Sequence, residues 1–136
     1  MTALELAWMA GFFEGEGSVR INKPTHRNWG ALLVSVVNTD REIIEFFHHR
    51  WRGCFKKATG MRPEQQDAWR WIIASRQAYT FLRAIQPFIR RSKVKERIAH
   101  ALWFQEQKKR DSSEEYRQTQ WEAYWWMGKL NERGKR

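Results

Sequence analysis

The sequence is short of cysteine, proline and acid. Of its 136 residues one is cysteine, Cys54, and three are proline. A single cysteine excludes an internal disulfide framework and a multi-cysteine metal cage. No apolar run approaches the ~20 residues that a membrane span needs. The N-terminal apolar segment has no basic leader and carries Glu5 and Glu14, unlike a secretory signal. Acids number 15 against 25 lysines and arginines, a net charge of +10. These features predict an intracellular, strongly cationic chain with an anionic partner, and nucleic acid is the first candidate. A membrane surface fits less well, because the basic residues are spread along the chain and not gathered on one amphipathic helix.

Apolar and aromatic residues are plentiful. Hydrophobic residues make up 42% and nine residues are tryptophan, which supports a real core and argues against long disorder. The length suits one domain, or one subunit of a symmetric oligomer.

Hydrophobic spacing predicts the elements. Residues 3–13 are almost wholly apolar, as in a buried helix. Ala3, Ala7, Ala10 and Gly11 fall on one stripe, where small side chains let a second backbone approach. Gly15 and Gly17 are expected to end the helix through positive-φ conformations. Residues 18–23 alternate, with Val19 and Ile21 facing one way and Ser18, Arg20 and Asn22 the other. Residues 31–37 form a second strand, making a hairpin. Thr39-Asp40-Arg41-Glu42 reads as a capping box opening a helix with Ile43, Ile44, Phe47 and Trp51 on its buried face. Strands over 53–58 and 69–74 follow. Ser75 is placed as the cap of a helix that stops before Pro87. Ser92 starts another helix, and Ser112-Ser113-Glu114-Glu115 caps a last, aromatic-rich one. The order is α-ββ-α-ββ-α followed by two helices. The chain reads as one domain, with a core over about residues 4–104 and a helical extension over about 105–136.

The chemistry is concentrated in Met9-Ala10-Gly11-Phe12-Phe13-Glu14-Gly15-Glu16-Gly17-Ser18. Two carboxylates flank a glycine at the C-terminal end of an apolar helix, where the macrodipole is negative and disfavours acids. A bound cation would offset this, and freed backbone carbonyls would add oxygen ligands suited to Mg²⁺ or Ca²⁺. Taken alone, the pair reads more readily as solvated residues of a turn.

The segment Leu6-Ala7-Trp8-Met9-Ala10-Gly11-Phe12-Phe13-Glu14-Gly15-Glu16-Gly17, followed by a strand, resembles the signature of the LAGLIDADG homing endonucleases. The likeness extends to the α-ββ-α-ββ-α order over about residues 4–90, to Asn38-Thr39-Asp40, and to Gln86-Pro87-Phe88 with lysines shortly after. It implies an α+β fold with a saddle-shaped antiparallel sheet, and a site-specific double-strand DNA endonuclease. Two signature helices would pack through Ala3, Ala7, Ala10 and Gly11, each delivering one acid to a shared centre. One signature per chain then implies a C2 homodimer on a long, pseudo-palindromic site. The metal ligands would be Glu16 and the Gly15 carbonyl, holding Mg²⁺, or Mn²⁺ or Ca²⁺ in its place. Asn38 is the implied water-organising residue, or else simply ends a strand before a helix cap. Lys93, or Lys95, is the implied charge-stabilising lysine, with Arg41 as a supplement.

Outward strand residues are the DNA-reading candidates: Arg20, Asn22, Ser35 and Lys56. In the 69–74 strand, polarity places Arg70 toward DNA, whereas a gapless family register places Trp69 and Trp71 there. Lys23, His26 and Arg27 of the hairpin loop are candidates for the outer end of the site. His48-His49 diverge on a helix and are not read as a metal pair. The tryptophans of the last helix are read as packing, from their helical spacing. A non-cleaving nucleic-acid-binding protein of the same fold, an intron maturase or transcription regulator, is the alternative.

Overall fold

The Thr2 hydroxyl accepts a hydrogen bond from the Glu5 backbone N–H at 3.1 Å and so starts the first helix. The protein is seen here as a computed structural model describing residues 1–25, 29–58, 67–109, 111 and 113–133. Helix α1 spans Ala3–Glu16, and β1 (Gly17–Ile21) and β2 (Leu32–Asn38) form the hairpin. Then come α2 (Arg41–Trp51), β3 (Cys54–Ala58), β4 (Ala68–Ala74) and α3 (Ser75–Ile85). A 3-10 turn (Gln86–Phe88) leads to α4 (Ser92–Glu106) and α5 (Glu114–Arg133). The expected element order is therefore present.

The four strands make one antiparallel sheet in the order β1-β2-β4-β3. Its strands alternate as half-buried strands must. Val19, Ile21, Leu32, Val34, Val36, Trp71 and Ile73 point into a core completed by Met9 and Phe13 of α1, Phe47 of α2 and Phe81 of α3. Trp71 is fully buried, and its indole N–H donates to the Arg52 carbonyl at 2.6 Å, so no polar atom is stranded there. The α2–β3 turn requires glycine: Gly53 has φ +88°, and a Cβ there would lie 2.6 Å from the Ile72 carbonyl oxygen.

Helix α5 buries Tyr116, Gln120, Ala123 and Met127, a repeat of four and three residues that forms one stripe. Its far end covers the outer edge of the sheet, where Asn131 Nδ2 donates to the Val19 carbonyl at 3.0 Å. That contact occupies an edge group otherwise open to pairing with another strand.

Several local expectations are corrected. Helix α1 is not buried all round: Leu4 is 84% exposed and Trp8 47%, and Ala3, Ala7, Gly11 and Gly15 are exposed with them. Ala10 is fully buried against the core and leaves the small-residue stripe. No left-handed glycine ends α1, because the helix runs through Glu16 and Gly17 is extended at φ −85°. Gly17 is needed for space, since a Cβ would lie 2.2 Å from the Phe13 ring. Asp40, not Thr39, caps α2. Ser75 does not cap α3; it takes φ +50° at the strand–helix junction, and Ala74 occupies the cap position. Ser113 does cap α5, accepting from Tyr116 N–H at 3.2 Å. The tryptophans of α5 are not packing residues: Trp121, Trp125 and Trp126 are 40%, 53% and 49% exposed.

Candidate nucleic-acid interface and signature-helix site

Glu14 and Glu16 end in different surroundings although one residue separates them. The Glu14 carboxylate accepts the Arg90 backbone N–H, and its carbonyl accepts Arg91 Nη1 at 3.2 Å. The segment between α3 and α4 is thereby tied to the end of α1. Glu16 is exposed on the last turn, where the carbonyl ends of the helix gather partial negative charge. Gly15 is exposed beside it, with no neighbouring heavy atom within 4 Å of where a side chain would begin.

Cations reach this end of α1 from the α3–α4 segment. Arg91 touches the Glu14 carbonyl and was missed by reasoning from spacing alone. Lys95 lines a cleft with Ala7, Gly11, Glu14, Pro87 and Arg90, along the exposed flank of α1. Lys93 is exposed on the first turn of α4 and does not line that cleft. Arg41 is committed elsewhere: its Nε pairs with Glu45 at 2.6 Å, and its guanidinium lies 4.5 Å from the centre of the Trp69 ring. Asn38 Oδ1 accepts the Asp40 backbone N–H at 2.8 Å, an Asx turn that ends β2 and leads into α2. Its acceptor thus has the structural use named as one of its two readings.

The open face of the sheet continues from Glu16. Register aligns Ser18 with Ser35, Ile72 and Cys54 across four strands, and Val37 with Arg70 and Lys56 across three. Arg20 stands on the same face, opposite Leu33. Arg20 and Lys56 are exposed and Ser35 and Arg70 half-buried. The strand positions on this face hold three cations and no acid. Within β4 it is Arg70 that stands on the open face: Trp71 lies in the core, and Trp69 shares its side of the strand under Arg41. Asn22 and Lys23 are exposed just past β1. His26 and Arg27 lie outside the described residues.

Among the described residues no group of three or more His, Cys, Asp or Glu side chains could hold a metal ion. No helix among them is long and apolar enough to cross a membrane.

A family model described as a LAGLIDADG-like domain matches residues 3–86. The chain belongs to the LAGLIDADG family. That span covers α1 through α3, so both αββ units and the exposed Glu16 fall within the family's domain. Solved structures carry the same fold. One is the homing endonuclease I-CvuI in complex with the I-CreI target, with magnesium present and the DNA not cleaved; it is 14% identical, with a TM-score of 0.75, over 93% of this chain and 82% of that one. A second is the archaeal intron-encoded homing endonuclease I-Vdi141I complexed with DNA, at 12% identity and a TM-score of 0.53, over 94% and 97%. A third is the group I intron-encoded homing endonuclease I-CeuI complexed with DNA, at 17% identity and a TM-score of 0.59, over 77% and 55%. No curated protein matches the chain in sequence.

Proposed function

We propose that this LAGLIDADG chain is a site-specific double-strand DNA endonuclease that works as a C2 homodimer with a divalent metal. One observation carries the reading: α1 presents an uncovered ridge of small residues and, at its end, an exposed carboxylate beside an acid-free cationic sheet face. A lone ridge and a lone acid are each half of a symmetric device.

The donors at the end of α1 fit a hard cation. The Glu16 carboxylate and the Gly15 carbonyl are oxygen ligands, the class that binds Mg²⁺, Mn²⁺ or Ca²⁺. Such a metal supplies an activated water and charge stabilisation for the leaving oxygen. The chain's own residues do the rest. The open sheet face, with Arg20, Ser35, Lys56 and Arg70, together with Asn22 and Lys23, aligns the duplex so that a phosphodiester lies at Glu16. Arg91, Lys93 or Lys95 stabilises negative charge on the phosphate, and Arg91 is favoured by its contact with the end of α1. The Asn38 carboxamide nitrogen remains a donor for ordering water. The Ala3, Ala7 and Gly11 ridge brings the partner's acid to the second strand.

The test is digestion of a randomised-site duplex library with Mg²⁺, followed by sequencing of the ends. Recurrent ends flanked by a pseudo-palindrome support the reading. Selective retention of a duplex without cutting would instead leave a binding protein of the same fold.

A further inference from the structure

Helix α5 wastes apolar surface if its only role is packing. Its buried stripe is complete with Tyr116, Gln120, Ala123 and Met127, yet Trp121 and Trp125 stand exposed on another side. Trp125 lines a groove between α5 and the end of β1, and Trp121 meets Lys23 of that groove. Arg20, Asn22 and Lys23 line it from the strand, and Trp125, Gly128, Lys129 and Glu132 from the helix. Gly128 widens it, with no heavy atom within 4 Å of a Cβ position. Glycine inside a helix costs about 1 kcal/mol relative to alanine.

The lysines of the groove are held in an unusual way. Lys23 Nζ lies 5.6 Å from the centre of the Trp121 ring, and Lys129 Nζ 5.4 Å from that of Trp125. An aromatic face positions an ammonium without cancelling its charge. The one acid lining the groove, Glu132, meets Lys129 at 3.5 Å, and both side chains are about half exposed or more, so water screens the pair. The groove is thus cationic, walled on the helix side by the Trp125 indole, and continuous with Arg20 and Asn22, which the reading above turns toward DNA.

We propose that this groove is a second nucleic-acid contact, in which Lys129 and Lys23 engage phosphates of duplex DNA while Trp125 packs against the adjacent sugar. The proposal rests on the DNA-binding reading above, and it extends the interface from the sheet onto α5. A duplex is favoured over an acidic protein partner because the sheet face that continues into the groove has the alternating, acid-free pattern expected of a phosphate-tracking surface.

The test is fluorescence anisotropy of the full chain with a labelled 40-bp duplex of arbitrary sequence, titrated across salt concentrations. Phosphate contacts do not depend on sequence, so no target need be known. Lys129→Ala is expected to weaken binding and to reduce the log–log salt slope by about 0.9 per protomer. Trp125→Ala is expected to weaken binding about two- to fivefold, the loss of the aromatic face that positions Lys129, with the slope unchanged. Glu132→Gln, which removes the groove's acid, is expected to tighten binding. All three positions are exposed, and unchanged thermal melts verify folding. If the parent chain binds the duplex and the three variants bind as it does, the groove assignment is overturned and the endonuclease reading stands. If the parent chain does not bind the duplex, both fail.

Discussion

Glu16 and Glu14 differ in what is left free on each: the proposed function places its chemistry on Glu16 and not on its neighbour. Glu14 holds the Arg90 N–H and so has a structural use, whereas Glu16 has open surroundings at the end of α1. Glu16→Gln is therefore expected to abolish Mg²⁺-dependent cutting while keeping duplex affinity, because the amide preserves shape and removes a negative ligand. Cutting by this variant at the parent rate would remove Glu16 from the site. Arg20 stands on the open sheet face four residues after Glu16, which the proposed function makes a base-reading position and not a phosphate contact. Arg20→Ala should relax preference at two symmetric base pairs, each by about 1–3 kcal/mol. A selection profile weakened evenly at all positions would make Arg20 a backbone contact. A third residue contributes to acid stability. Arg50 donates to Glu5 at 2.8 Å and holds its carboxyl below the ordinary 4.5. A lowered folded value means stability present above pH 4.5 and lost as pH falls through the folded value. Glu5→Gln should flatten the melting temperature on that acid limb and leave neutral pH little changed, as pH-resolved melts would show.

At the scale of elements, the end of α1 is set by a ring rather than by a backbone conformation. Phe13 packs edge-on to Phe81 with ring centres 5.5 Å apart, and it fills the space a Cβ on Gly17 would need. Gly17→Ala is expected to cost about 1–3 kcal/mol through overpacking. Gly128→Ala, in open space within α5, should add up to about 1 kcal/mol of stability. Paired denaturant titrations read the opposite signs, and equal effects would reject the steric account. The element order was legible because apolar periodicity, capping residues and glycine–proline breaks agree along the chain. The exposed side of α1 was not, because an all-apolar run has no periodicity to show which face is covered. The tryptophans of α5 misled for the related reason that helical spacing says residues share a face without saying whether that face is buried.

Over the whole molecule, the proposed function ties the charge to a two-fold assembly. The chain carries a net charge of +10, the strand positions on the open sheet face hold no acid, and α1 leaves Leu4, Ala7, Trp8 and Gly11 uncovered. A second copy packed on this ridge would cover them. Gly11→Phe is expected to fold as the parent does, since nothing lies within 4 Å of its Cβ position, and to raise the dimer dissociation constant at least tenfold. Sedimentation equilibrium measures it, and an unchanged constant would place the interface elsewhere.

The signature-like helix ending in Gly-Glu-Gly and the order of the elements after it were enough to identify the LAGLIDADG family, and the surplus of lysine and arginine pointed to an anionic partner. These are local patterns, dictated by backbone periodicity and residue chemistry. The tertiary structure alone decided three further matters. Strand register put Arg70 rather than Trp69 and Trp71 on the open face. Packing of α1 turned Ala10 inward and left Gly11 out. The contact between Arg91 and the Glu14 carbonyl joined residues 77 positions apart. Each depends on which surfaces meet across the sheet and between helices, and no repeat within a single segment encodes that.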